Sequence, residues 1–534
     1  MFRLNRSIPL LLILLQWTDS AKILVITPNL ANSMVLYAGR IADVLQSAGH
    51  DVTMLIPVMR STNKMNGTKL AKVIRIENLG DHFDKVMDGY ADTFQPYKES
   101  IWNRRNEMIT MSRTCEAVLK RFKEIEYLKD QKFDLAITDH TDFCDIGLFH
   151  ALGIKHHIWT TTGPILDINS WAMGIPTETS YVPVPWESDS GPAMSLLERA
   201  WNLIHSYMDR IMAYEQVLRI NRLFRRYVDP NFKDVWEIAA QSSLLFVNAD
   251  EFIEPVRSVP PNVIYIGGVG MESTNLDDLK VCDINKFPFL SPNSTQRLVY
   301  FSLGSSASTL QIRAETKRQI LQAFAHFKNY QFILKVDRED EEFKQIGAQF
   351  QNVRVVDWAP QHALLAHPQM RLFVTHAGYN SILESTISGV PMLLLPLFFD
   401  QHRNARSMEY RQVGRVLYPH LITEETLKRE LEILLNNHSY LHTARRLSRL
   451  HRQKPNKPNE TLLKWVDFAL QNGPLNELKP HVLNLNWFQQ ANFDVYCLLL
   501  AGLFVFWALL TRSLQFVAFV WKVFVDVERK VKVH

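Results

Sequence analysis

Cysteine is scarce in this chain, with four among 534 residues. Cys497 lies inside a long apolar run, which leaves Cys115, Cys144 and Cys282. Three scattered thiols supply neither a disulfide framework nor the spacing of a metal site. His362, His367, His376 and His402 also lack metal-ligand spacing, so no metal is expected. Charge of one sign is scarce as well: the formal net charge is +4, much of it at the C-terminus. No basic face with interleaved aromatics is present, which argues against nucleic acid as a partner. Short repeats and low-complexity tracts are absent, and 47% apolar with 21% charged residues argues against a disordered chain. One further absence is local. The stretch TPNLANSM (27–34) follows the first apolar run of the mature chain and holds no residue that titrates near neutral pH.

What is present starts at the termini. Arg3 and Arg6, the apolar core Ile8 to Leu15 and the small residues near Ala21 have the form of a signal peptide over residues 1–20. A buried N-terminal helix is the alternative. Far downstream, Val495 to Leu510 reads VYCLLLAGLFVFWALL. As a helix it rises about 24 Å, a little short of a hydrocarbon core of roughly 30 Å. Thr511 and a snorkelling Arg512 extend it, or the span continues through SLQFVAFVW with Arg512 inside. Arg512, Lys522, Arg529, Lys530 and Lys532 all follow the run, so the tail belongs in the cytoplasm and the large domain in the lumen. The final KVKVH places Lys530 and Lys532 as in a dilysine signal for retrieval to the endoplasmic reticulum; a basic segment touching anionic lipid is the alternative. Sequons stand at Asn66, Asn293, Asn437 and Asn459.

Between the termini, strand and helix patterns alternate, which predicts α/β architecture with parallel sheets. KILVIT is followed by a helix burying Tyr37, Ile41, Val44, Leu45 and Ala48, with Asn32 or Ser33 as its cap and Gly49 at its end. DVTMLIPV, FDLAITD, LLFVNAD and VIYIGGV continue this first series. The Pro-, Ser- and Asn-rich stretch FPFLSPNST (287–295) breaks it, and RLVYFSLGSSAS opens a second. QFILKV, VRVVDW, RLFVTH and VPMLLLPL follow. Two doubly wound domains in tandem are expected, with ligands beyond the carboxyl ends of the strands, in a cleft between the domains. The long amphipathic segment within Tyr181 to Trp236 reads either as a cover over the first domain's ligand side or as a membrane-touching surface.

The chemistry concentrates in Val355 to Arg406. RLFVTH ends in His376, Ala377 and Gly378, and a helix starts near Asn380. Gly378 admits a ligand to the backbone, and the helix N-terminus offers free N–H groups to phosphate. Glu384 lies one turn in, and the next strand delivers Asp400 and Gln401. Blander readings exist for each: Ser381 and Glu384 form a capping-box pattern, Asp400 can cap the following helix, and Trp358 can be core.

Together these residues resemble the signature of the UDP-glycosyltransferases, the family of animal UDP-glucuronosyltransferases and plant glucosyltransferases. The shared elements are W-x-P-Q at Trp358, Pro360 and Gln361; His367-Pro368; T-H-x-G at Thr375, His376 and Gly378; Glu384; Gly389 to Pro391; and Asp400-Gln401. The resemblance implies two tandem Rossmann-like domains of the GT-B type, at 21–286 for the acceptor and 287–470 for the UDP-sugar. A juxtamembrane segment (471–493), a transmembrane region (494–521) and a basic cytoplasmic tail (522–534) would follow. It implies inverting transfer of glucuronic acid or glucose from a UDP-sugar to small lipophilic acceptors, with no cofactor beyond that donor, and homo- or hetero-oligomers with related transferases. Trp358 would stack on uracil with Gln361 nearby. Glu384 would take the ribose hydroxyls. His376, Asn380 and Ser381 would hold the diphosphate, with Ser305 as a further phosphate contact. Asp400 and Gln401 would bind sugar hydroxyls, and Arg257 would reach the donor. Asn380-Ser381 is closer to the plant form of the motif than to the vertebrate one.

The family's base is a His–Asp pair. Asp139 matches the Asp, but Met34 falls where the His belongs, and Met accepts no proton. Three readings follow. The acceptors need little activation, as do amines, acidic phenols or carboxylates; Asp139 or the adjacent His140 serves as base through a shifted geometry; or the chain binds UDP-sugar without turnover, as a partner of active relatives.

Overall fold

A computed structural model describes residues 20–88, 94–96, 101–186, 188–271, 295–305 and 307–531. The signal-peptide stretch, Cys282, most of the 287–295 break, the Asn293 sequon and Lys532 lie outside the described residues.

The first series of strands is β1 (Lys22–Ile26), β2 (Asp51–Pro57), β3 (Lys72–Ile76), β4 (Leu135–Asp139), β5 (His157–Thr161), β6 (Leu245–Val247) and β7 (Val263–Tyr265). The second is β8 (Arg297–Ser302), β9 (Tyr330–Lys335), β10 (Val353–Val356), β11 (Met370–Thr375), β12 (Met392–Leu394) and β13 (Gly414–Val416). Helices that matter for the site are α1 (Asn32–Ser47), α2 (Ile101–Lys120), α3 (Cys144–Ala151), α4 (Leu196–Tyr227), α5 (Tyr379–Ser388), α6 (Gln401–Tyr410), α7 (Pro458–Asn472) and α8 (Phe493–Val531).

Both sheets are wholly parallel in the pairings observed. The first runs β3-β2-β1-β4-β5-β6-β7 and the second β10-β9-β8-β11-β12-β13. β1, β4 and β11 are mostly apolar and buried along nearly their whole length because parallel strands are covered on both faces. In each sheet the strand order reverses once, between β1 and β4 and between β8 and β11. A crevice opens at such a reversal, since the helices on either side of it depart to opposite faces. β3, β5 and β13 were not among the expected strands; KVIRI, HIWTT and GRV are too short or too polar to stand out.

Helix α1 buries Tyr37, Ile41 and Leu45 as expected, Val44 and Ala48 are half-buried because they lie at the edge of that face, and Gly49 follows its end at φ 102°. Its N-cap is Ala31, without a side-chain cap. The expected cap from Asn32 or Ser33 is therefore corrected: both lie in the first turn and line the cleft instead. The reading of the cysteines is corrected too. Cys115 on α2 and Cys144 at the start of α3 form a disulfide across 29 residues, because the fold brings two distant segments to a Cα separation of 5.8 Å.

Residues through Lys479 form one compact unit holding both sheets, and Pro480–His534 forms a second. Within the first, α7 returns to the first sheet, where Leu462, Val466 and Ala469 share an apolar cluster with Ile23, Val25 and Ile41. In the second unit, Phe493–Arg529 is long and apolar enough to cross a membrane. The helix passes Arg512 and Trp521 without a break and continues to Val531, so the boundary expected at 521 falls within a helix.

Candidate active site

The ends of β1, β4, β8 and β11, the four strands at the two reversals, open on one cleft of about 730 Å³. Met34, Asp139, His140, Ser305, Trp358, Gln361, His376, Gly378, Asn380, Ser381, Glu384, Asp400 and Gln401 all line it. Arg257 is the expected site residue that does not. Its buried guanidinium lies 3.5 Å from Asp167 and donates to the Pro176 carbonyl at 2.7 Å.

On the first-sheet side, Asp139 at the end of β4 is buried and crowded with donors. Oδ1 accepts from the backbone N–H of Thr141 at 3.0 Å and from the Thr141 hydroxyl. Oδ2 accepts from the Thr162 N–H at 2.9 Å and its hydroxyl at 2.5 Å. Burial alone would raise its pKa. His140 and the two threonines outweigh burial and hold the carboxyl below its ordinary value. His140 is fully buried. Its Nε2 accepts the Leu166 N–H at 3.2 Å, which places the ring proton on Nδ1, 3.8 Å from Asp139. Met34 packs with Leu30, Met59, Phe83 and Met111 in a small apolar cluster. Leu166 and Trp186 extend this wall, and Glu107 from α2 is the acid within it.

On the second-sheet side, the His376 ring lies between two glycines. A Cβ on Gly304 would stand 2.6 Å from the ring, and one on Gly378 would stand 2.5 Å from it. Burial, with Lys335 adding like charge, lowers the His376 pKa to about 4, so the imidazole is neutral at neutral pH. Lys335 ends β9 and donates to the Gly304 carbonyl at 3.0 Å. Helix α5 has Gly378 as N-cap and no side-chain cap, so no side chain competes for its first N–H groups. This sets aside the capping-box reading. Ser381 bonds Gln361 Nε2 at 3.1 Å, and Glu384 Oε2 accepts from Gln361 at 2.9 Å. Trp358 is 62% exposed, so it is not core. Asp400 occupies the N-cap position of α6 without capping; its carboxylate accepts from Asn404 at 2.6 Å, and burial lifts its pKa to about 6. The side-chain carbonyl of Gln401 takes the N–H groups of Leu397 and Phe398.

Sequence reasoning passed over three cations of the cleft, Arg40, Lys69 and Lys335. Lys335 had a readable signal, a lysine ending a buried strand at the ligand side. Arg40 had none: mid-helix on α1, it reaches Glu384 at 3.2 Å only because the two sheets are apposed.

These strand ends carry donors for phosphate, an exposed indole and carboxylates for hydroxyls, the needs of a sugar nucleotide. Residues 21–531 match the family model described as "UDP-glucoronosyl and UDP-glucosyl transferase". The chain belongs to this family. It is a UDP-sugar glycosyltransferase of the UDP-glucuronosyltransferase group by its relatives. It is 33% identical to ugt-48 of Caenorhabditis elegans over 90% of this chain and 92% of that protein. It is 27% identical to UDP-glucuronosyltransferase 1A4 of Homo sapiens, covering 93% and 91%. Among solved structures it is similar to Phytolacca americana UGT2 complexed with UDP-2fluoro-glucose and pterostilbene. The TM-score is 0.57 at 18% identity, covering 85% of this chain and all of that one. CalG4, the calicheamicin glycosyltransferase, gives a TM-score of 0.58 at 18% identity, again covering 85% of this chain and all of that one. The two parallel α/β sheets are thus those of the GT-B fold.

Proposed function

We propose that this glycosyltransferase moves glucuronic acid, the sugar in its animal relatives' names, or glucose from UDP to lipophilic acceptors that need no general base. The acceptors are amines, acidic phenols and carboxylates. In this reading Trp358 and Gln361 hold the base, Glu384 the ribose, and Asn380, Ser381, Ser305 and the α5 N-terminus the diphosphate. Asp400 and Gln401 hold the sugar. The nucleophile's lone pair forms the bond to the anomeric carbon while the bond to the UDP oxygen breaks, with inversion; phenols and carboxylates enter as anions, and an amine's product sheds its proton to water afterwards. UDP leaves with the electron pair, and α5 N–H groups and neutral His376 stabilise its growing charge. Arg257 stays in the reading as a residue that would reach the donor only if its loop moved.

One observation carries the restriction on acceptors. Four donors fill the four lone-pair sites of Asp139, and His140 has committed its only acceptor nitrogen. Neither is configured to take a proton, and Met34 cannot. The apolar wall of the cleft supports a lipophilic acceptor. The apolar helix supports a membrane anchor, and with the lumenal orientation it supports residence in the endoplasmic reticulum.

The test is a donor-by-acceptor screen of UDP release by the full chain. Transfer to amines or acidic acceptors, with simple alcohols inert, is the expected result. Met34→His should then raise turnover of a simple phenol by about 100-fold, the lower range for a positioned base. UDP-sugar binding without UDP release on any acceptor would instead make the chain a binding partner of active relatives.

A further inference from the structure

We propose that Arg40, on the first sheet's α1, is a positioning residue for the nucleotide: it orients the Glu384 carboxylate for the ribose hydroxyls. The inference rests on the reading of Glu384 as the ribose ligand. Glu384 sits on α5 and is 8% exposed, and each of its oxygens has one side-chain donor. Gln361 Nε2 holds Oε2 at 2.9 Å, and Arg40 Nη2 holds Oε1 at 3.2 Å. Gln361 belongs to the same sheet's layer as Glu384. Arg40 does not; it comes from 344 residues earlier in the chain.

Arg40 is itself held in place. A Cβ on Gly270 would lie 2.8 Å from Arg40 Cβ and 3.0 Å from Cγ, so the arginine stem runs flat across that glycine. Gly270 has φ +70°, a backbone state glycine adopts freely, and its N–H is bonded to Asn459 at 2.8 Å. The guanidinium thus reaches the cleft on a stem that loses little freedom when it pairs. An ionised carboxylate pinned at both oxygens retains one acceptor site on each, the number a vicinal diol needs. The consequence is a division of labour along α1. Its first turn presents Met34 to the acceptor side, and its third presents Arg40 to the donor side. Nucleotide bound to the second sheet therefore feels the position of the first through this ion pair, alongside the bond from Asn248 to Asn380.

The experiment measures binding of UDP and of 2′,3′-dideoxy-UDP to the full chain, for the wild type, Arg40→Met, Arg40→Lys and Glu384→Gln. Arg40→Met keeps the stem over Gly270 and removes the charge. It should weaken UDP by about tenfold, the scale of one hydrogen bond to a charged group. Dideoxy-UDP should change by less than twofold, so the variant's preference for the ribose diol shrinks. Arg40→Lys falls between, and carries the test if Arg40→Met melts early. In the Glu384→Gln background, Arg40→Met should have no further effect. Equal weakening of both ligands, or undiminished diol preference in both Arg40 variants, overturns the role of Arg40 alone. A wild type that binds UDP and dideoxy-UDP equally overturns the ribose reading of Glu384, and the inference with it.

Discussion

Asp400 and His376 titrate far from their ordinary values, and both shifts follow from where the strands end. Burial between two glycines keeps the His376 imidazole from being charged, and Lys335 adds like charge. In the proposed role it is a neutral donor that costs no desolvation of an ion. Asp400 works the other way. Burial raises its pKa to about 6, so it becomes ionised only as pH rises through that value. A sugar hydroxyl donates more strongly to the ionised carboxylate. Affinity for UDP-sugar relative to UDP should therefore rise between pH 5 and pH 7 with a midpoint near 6. Titrating both ligands calorimetrically checks this, and Asp400→Asn should flatten the ratio. At this scale the motif residues were legible because their types are chemically specialised. Their protonation states were not, since those depend on neighbours from other strands.

At the scale of elements, the N-terminal half of α4 inverts the usual rule. Asn202, Ser206 and Asp209 are buried, while Leu197, Trp201, Ile204, Tyr207 and Ile211 are exposed; the C-terminal half buries Met212, Ala213, Val217, Ile220 and Phe224 beside Gln216. The buried polar side meets α2 and the loop after β4: Arg104 lies 3.1 Å from Asp209, and Gln216 Nε2 donates to Asp142 at 3.3 Å. Periodicity alone placed a helix there but could not say which stripe faces inward, because both are continuous. The same α2 carries Glu107 and Met111 into the cleft wall and Cys115 into the disulfide. The disulfide ties that wall to α3, just beyond Asp139. Cys115→Ala with Cys144→Ala should lower stability by about 2–4 kcal/mol, read as a lower denaturant midpoint. Its loss should weaken acceptor binding more than UDP binding, because α2 reaches the cleft through Glu107 and Met111, in the apolar wall proposed for the acceptor.

For the whole molecule, the two sheets are joined by buried charge as well as by apolar contact. Arg403 on α6 pairs with Glu254 from the first sheet's layer, both nearly inaccessible. Asp250 is bonded by His451 at 2.5 Å and by Lys454 at 3.1 Å. Burial pushes the Asp250 pKa up, and these two partners overcome it. Removing one partner of a buried pair strands the other. Arg403→Met should thus cost about 3–5 kcal/mol, measured by chemical denaturation, with UDP affinity falling as the sheets separate. None of these pairs is visible in the sequence: their partners lie more than a hundred residues apart and carry no motif.

The sequence by itself determined the class, the two series of parallel strands, the family and the helix able to span a membrane. Hydrophobic period and residue type are local properties, and a motif whose residues stand close together in the chain leaves a local record. Only the tertiary structure decided which donors saturate Asp139, which nitrogen of His140 is committed, and that Cys115 meets Cys144. It also decided that Arg40 rather than Arg257 stands at the cleft. Those outcomes depend on how two sheets and their crossing helices are apposed, and apposition is set by the summed packing of the core rather than by any one segment.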